Sequence, residues 1–140
     1  MAAYQKFNDY TYQLNVAAHN WATHSYYAAF SNTAPVATNT ILSDITQISA
    51  GGGYVTGGVQ LDSLVLTDTS GTTKLALANE LFTATGAVAP FRYIAVYNFT
   101  QTSPLKPLVF WADYGVSIAL GTGDTFLIQF DGTNGLWQLT

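Results

Sequence analysis

Hydrophobic residues alternate along most of this chain, and in one region they occupy both sides of the alternation. Within Phe91–Phe99, the residues Phe91, Tyr93, Ala95, Tyr97 and Phe99 share one face of an extended strand, and Arg92, Ile94, Val96 and Asn98 share the other. Leu108–Tyr114 behaves the same way, with Leu108, Phe110, Ala112 and Tyr114 opposed to Val109, Trp111 and Asp113. A strand with one wet face alternates apolar with polar. These two barely do, so an antiparallel pair made from them needs a cover on each face.

The rest of the pattern predicts short strands separated by turns. Ser25–Ser31 reads as a strand closed by Asn32–Pro35, and Val59–Leu66 as a strand with a phase slip in its middle. Asp68–Gly71 is a turn. Lys74–Ala84 continues extended, with a bulge expected at Asn79-Glu80. Val116–Leu120, Thr125–Gln129 and Leu136–Leu139 follow, the last two joined by Asp131–Gly135 as a hairpin link. Helical periodicity is confined to Tyr4–Trp21, where Phe7, Tyr10, Leu14, Ala17, Ala18 and Trp21 make one stripe, and to a single turn within Thr40–Ile48. The pattern therefore predicts a mainly β chain: an antiparallel, jelly-roll-like β-sandwich with a short N-terminal helix. It forms one domain over residues 1–140, with a helical segment at 1–22 and a long glycine-rich loop at 37–58.

Composition sharpens the picture in one respect. Hydrophobic residues make up 49% of the chain and aromatics 14%, as a folded core requires, but Asp, Glu, Lys and Arg make up only 9%, against about 25% in ordinary soluble domains. The polar exterior is built instead from Thr, Ser, Asn and Gln. Such groups cost far less to dehydrate than ions, which suits a surface held against other protein. The four cations, Lys6, Lys74, Arg92 and Lys106, are scattered and the net charge is −4, so no nucleic-acid partner is expected. There is no cysteine, no secretory leader pattern and no apolar run long enough to cross a membrane, so a soluble protein with no membrane partner is expected.

Motifs for chemistry fail on spacing. His19 and His24 are five apart, not the four of a helical zinc pair, and read as solvated or capping residues. The glycines at 51, 52, 53, 57 and 58 lack the Lys-Ser/Thr of a phosphate loop, and Thr56 stands where a dinucleotide motif needs its third glycine. Asp124 and Asp131 sit in turns that favour Asp for its own backbone bonds, and no nucleophile elbow occurs. No catalytic residue, metal ligand or cofactor is assigned, and the chain is not expected to be an enzyme.

Several segments, taken together, have a familiar look. KFN at Lys6–Asn8, NTAP at Asn32–Pro35 and LSDITQISAGGGY at Leu42–Tyr54 resemble small virion proteins of tailed bacteriophages. So do APFRYIAVYN at Ala89–Asn98, PLVFWADYG at Pro107–Gly115 and GDTFLIQFDGTNGLWQL at Gly123–Leu139. Within that group the chain resembles head decoration, or cement, proteins. That resemblance implies a jelly-roll sandwich that binds the outside of the capsid, clamps neighbouring major capsid protein subunits and self-associates as a dimer or trimer. It implies assembly in the bacterial cytoplasm and a place on the virion exterior. The alternatives are a tail or baseplate structural protein, or a carbohydrate-binding module using exposed aromatics.

Two segments stand out as contact surfaces on this reading. One is the glycine-rich loop, a flexible arm presenting Tyr54 and Val55. The other is whichever face of the aromatic pair the core leaves free, with Trp111, Tyr97 and Tyr114 as the residues expected to meet a partner.

Overall fold

A computed structural model describes residues 2–140. Its centre is the doubly apolar pair: β7 (Val88–Asn98) and β8 (Leu108–Leu120) form a long antiparallel hairpin. What reads in sequence as two strands, Leu108–Tyr114 and Val116–Leu120, is the single strand β8, with Gly115 at φ +82° absorbing an irregularity between them. Strand β2 (Tyr26–Ser31) pairs with β7 from Tyr26↔Asn98 to Ser31↔Tyr93. The short β3 (Val59–Leu61) adds beyond β2, and β1 (Tyr4–Lys6) adds beyond β8. The first sheet is thus β1-β8-β7-β2-β3.

The second layer is made from β4 (Leu64–Thr69), β5 (Thr72–Leu77), β6 (Glu80–Thr83), β9 (Thr125–Ile128) and β10 (Trp137–Leu139). It comes in two plates, β10-β5-β4 and β6-β9. The phase slip in Val59–Leu66 is a break between β3 and β4, with Ser63 at φ +53°. The bulge expected at Asn79-Glu80 is likewise a break between β5 and β6. The Asn79 side chain bridges it by accepting from the Phe130 N–H at 2.9 Å. Thr125–Gln129 and Leu136–Leu139 do not form a hairpin with each other. β9 pairs with β6, and β10 pairs with β5 through Trp137↔Leu75. Asp131 closes the intervening loop as an Asx turn, its carboxylate accepting from Thr133 and Asn134 N–H groups. The antiparallel sandwich stands as the pattern predicts; these pairings do not by themselves trace a jelly roll.

The N-terminal segment departs most from expectation. Only Tyr10–Asn15 (α1) is helical, preceded by β1 and followed by turns through Val16–His24. The stripe still predicts burial, since Phe7, Tyr10, Ala18 and Trp21 are all buried. They are buried on two different sides. Tyr10 and Trp21 join the main core between the layers, where Trp21 stacks on Tyr26 at 3.7 Å. Phe7 lies on the opposite face of the first sheet, its ring 4.6 Å from Trp111.

That opposite face is closed by the chain itself. Ala37, Leu42 and Ile45 cross it and, with Phe7, bury Ala29, Ala95, Tyr97, Leu108 and Trp111 in a second core. Hydrogen bonds fix the crossing: Leu42 N–H to Lys106 O (3.0 Å), Leu108 N–H to Thr40 O (2.9 Å) and Asn8 N–H to Ala37 O (2.9 Å). Asp44 holds the bend by accepting from the Thr40 N–H (2.9 Å) and the Ile41 N–H (3.3 Å). The helical turn expected in this stretch is one 3-10 turn, Leu42–Asp44.

The glycine-rich loop is tied down, not a free arm. Thr85 N–H donates to Gly52 O, and Gly52 at φ +59° passes so close to Ala87 O that a Cβ there would stand 2.5 Å from it. Gly58, at φ +87°, lies against the Ala28 backbone with no room for any side-chain atom. Replacing Gly58 with Ala combines a disfavoured φ with a backbone collision. It should lower unfolding stability by about 2 kcal/mol or more in urea titration. Gly71→Ala, at a hairpin tip with open space around it, should cost less.

Candidate interaction surface

The five residues that the sequence marks as partner-facing do not share a surface. Trp111 is packed in the second core between Phe7 and the Leu42–Ile45 crossing. Tyr97 is fully buried beside it, and its hydroxyl donates to Gly57 O at 2.6 Å. Tyr54 is buried on the other side of the sheet, stacked on Phe30. Its hydroxyl accepts from the Phe30 N–H (3.0 Å) and donates to Gln47 Oε1 (3.1 Å). Gln47 Oε1 accepts in turn from the Gly57 N–H at 2.8 Å. Tyr114 is half-buried, edge-on to Phe126. Val55 alone is open, at 67% exposure. Trp111, Tyr97 and Tyr54 are therefore corrected from contact residues to core. The face of the hairpin that the sandwich core leaves free is occupied by residues 37–45, and the tyrosine of the glycine loop anchors that loop.

Some of the exposed apolar side chains lie at the rim of the second core. Phe99, 43% exposed, stacks on Tyr27 at 4.5 Å, and Lys106 Nζ stands 4.8 Å over the Phe99 ring. Leu105, beside it, is 57% exposed and borders a groove of about 280 Å³ shared with Leu42, Ser43 and Gln47. The turn carrying Val55 sits next to this cluster, because Gly57 is bonded to Tyr97 and the Tyr97 ring is 6.1 Å from Tyr27. Phe99 and Leu105, with the half-buried Tyr27, thus leave apolar side chains open near the end of β7, Val55 is open on the neighbouring turn, and Lys106 lies over Phe99. Sequence reasoning reached Val55 but missed Phe99 and Leu105. Phe99 continues the alternation of β7 one residue past its end, and Leu105 sits between two prolines, where no periodicity operates. A second exposed pair, Leu81 and Leu127, faces outward across β6 and β9.

Two polar features bear on the fold, a partly exposed ion pair and a buried histidine. Arg92 and Asp113 make a bidentate pair at 2.7 and 3.0 Å, and the guanidinium holds the Asp113 carboxyl below the usual range. His19, expected to be solvated, is buried with Nε2 unpartnered, wedged between Tyr10 and Tyr26. Burial lowers its pKa from 6.5 to about 4, helped by His24 and opposed by Asp9. Among the described residues no three His, Asp or Glu side chains gather as metal ligands would.

No family model matches the chain, and no curated protein or solved structure is similar to it. The functional reading rests on the chain's own residues.

Two outcomes test these placements. Trp111→Ala should lower stability by about 3–5 kcal/mol, as for other buried aromatics, whereas Val55→Ser should leave the denaturation midpoint within experimental error. The His19 shift carries a definite sign. Its folded pKa lies below the unfolded value, so the stabilisation is complete above about pH 6.5 and is lost as pH falls toward 4. Chemical denaturation across that window should show a loss of roughly 3 kcal/mol, and His19→Phe should reduce that slope.

Proposed function

We propose that this chain is a structural virion protein of a tailed phage, a capsid decoration protein that acts by binding and not by chemistry. Its partners on this reading are the major capsid protein and further copies of itself. The observation that carries the proposal is the set of exposed apolar side chains Val55, Phe99 and Leu105 near the end of β7, with Tyr27 half-buried against Phe99 and Lys106 over the Phe99 ring, in a chain whose polar residues are mainly Thr, Ser, Asn and Gln. Apolar side chains in an uncharged field lose little on dehydration and gain by burial, as a permanent contact requires. The segment resemblances at Leu42–Tyr54, Ala89–Asn98, Pro107–Gly115 and Gly123–Leu139 point to the same class.

A cement protein lowers the free energy of the assembled shell by binding across subunit boundaries, and many copies add their contributions. With few charges available, shape and apolar burial must supply the affinity, so salt should release it poorly. Glycan binding is the less supported reading. A sugar needs a free aromatic face, yet Phe99 has Tyr27 against it and Lys106 over its ring, and Trp21 is stacked on Tyr26.

The decisive measurement is copy number in purified virions. A decoration protein should be present at a fixed ratio to the major capsid protein and stay bound in 1 M salt. A few copies per particle would assign it to the tail, and a shift on a glycan array would assign it to receptor binding. Phe99→Ser with Leu105→Ser should weaken head binding at least about tenfold while leaving a folded chain; each such apolar contact typically contributes about 1 kcal/mol or more.

A further inference from the structure

The Asn98 amide joins the irregular segment Val16–His24 to the end of β7, beside the anchored Ser25, whose carbonyl accepts from the Phe99 N–H and whose N–H donates to Thr100 Oγ1, both at 2.9 Å. Asn98 is fully buried, and its orientation is fixed because Oδ1 accepts from the Thr100 N–H (3.0 Å) and the Gln101 N–H (3.1 Å). Its NH₂ therefore faces the segment. There it lies 2.9 Å from His24 Nδ1, 3.2 Å from Ala18 O, and 3.4 Å from both His19 Nδ1 and the Tyr26 hydroxyl. An NH₂ group offers two protons and no lone pair, so the imidazole nitrogen nearest to it, His24 Nδ1, presents its own lone pair and carries the ring proton on Nε2. Two histidines five residues apart thus face one side chain, and the shorter contact fixes the tautomer of His24.

We propose that Asn98 with His19 and His24 forms an acid-released latch, which frees the segment Val16–His24 from β7 when either ring gains a proton while Ser25 stays anchored and the two sheets remain paired.

Protonation turns Nδ1 from acceptor into donor and sets N–H against N–H. In His19 the ring would then carry two N–H groups without partners in a buried site, since Nε2 already has none. The groups that bear on His19 are Asp9, Tyr10, His24 and Tyr26. The tyrosines stay neutral over the acid range, Asp9 opposes release, and a charged His24 favours it. The backbone bonds of Val16–His24 are local, such as Ala18 N–H to Gln13 O and His24 N–H to Asn20 O. Trp21 is held by its stack on Tyr26 and by its indole N–H to the Tyr10 hydroxyl at 2.8 Å. The first sheet does not depend on the segment, since β2, β7 and β8 pair with one another without it.

Hydrogen exchange read by mass spectrometry on the full chain tests this, with rates corrected for the intrinsic effect of pH. Peptides covering residues 16–25 should lose protection by about tenfold or more between pH 7.5 and 4.5, while β7 and β8 keep theirs. Nitrogen-15 spectra at pH 7.5 should show the His24 ring protonated at Nε2. Unchanged protection of 16–25, its loss in step with β7 and β8, or an Nδ1–H tautomer in His24 would overturn the latch. Asn98→Asp supplies a carboxylate that accepts from an imidazolium and still accepts from Thr100 and Gln101. In that variant residues 16–25 should stay protected at pH 4.5, and opening as in the wild type would remove Asn98 from the mechanism. If the variant does not fold, the wild-type exchange pattern and tautomers decide alone.

Discussion

Everything in this molecule follows from a sheet that is apolar on both faces. A β-sheet that buries one face can leave the other to water, but β7 and β8 carry Ile94, Val96 and Phe110 on one side and Ala95, Tyr97 and Trp111 on the other. Each side must be closed. The second layer closes the first side in the ordinary manner of a sandwich. The other side is closed by irregular chain, residues 37–45 with Phe7, which has no regular structure beyond one short turn. Loop backbone can lie on a sheet only if its polar groups find partners. The bonds from Leu42 to Lys106, Leu108 to Thr40 and the Asp44 carboxylate to two N–H groups meet that condition.

The same constraint explains what could be read in the sequence and what could not. Strand positions were legible wherever side chains alternate, and Tyr26–Ser31 and Val88–Asn98 lie within a few residues of where the pattern puts them. The need for a second cover was legible too. Its source was not, because Ala37, Leu42 and Ile45 are spaced by the path of a loop, and no period describes such a path. The N-terminal stripe misled for a related reason. Phe7, Tyr10 and Trp21 recur at helical spacing, yet they serve cores on opposite faces of one sheet, and a stripe cannot report which core each residue enters.

The contact residues were misplaced by the same ambiguity. Aromatic content identifies side chains that are costly to leave in water, but interface and core draw on the same residue types. Trp111 and Tyr97 went to the core because a cover exists, and Tyr54 because its hydroxyl satisfies the Phe30 N–H. Val55, between Tyr54 and Thr56 in the glycine-rich loop, remains open. Partner lists for histidines were equally invisible. That His19 and His24 meet one amide almost eighty positions away depends on the end of β7 folding beneath them.

The strand order also sets when each part of the chain can fold. β7 and β8 are joined by a short link, so their hairpin can form as soon as both are made. β2 must wait for β7, and its Tyr-Tyr-Ala-Ala-Phe run is already synthesised by then. Until residue 98 leaves the ribosome, that run has only the three-residue β3 to pair with, and its other edge stays open. N-terminal fragments that stop before β7 should therefore be the forms of this protein most given to aggregation. Efficient expression depends on translation reaching the aromatic hairpin before neighbouring chains find one another.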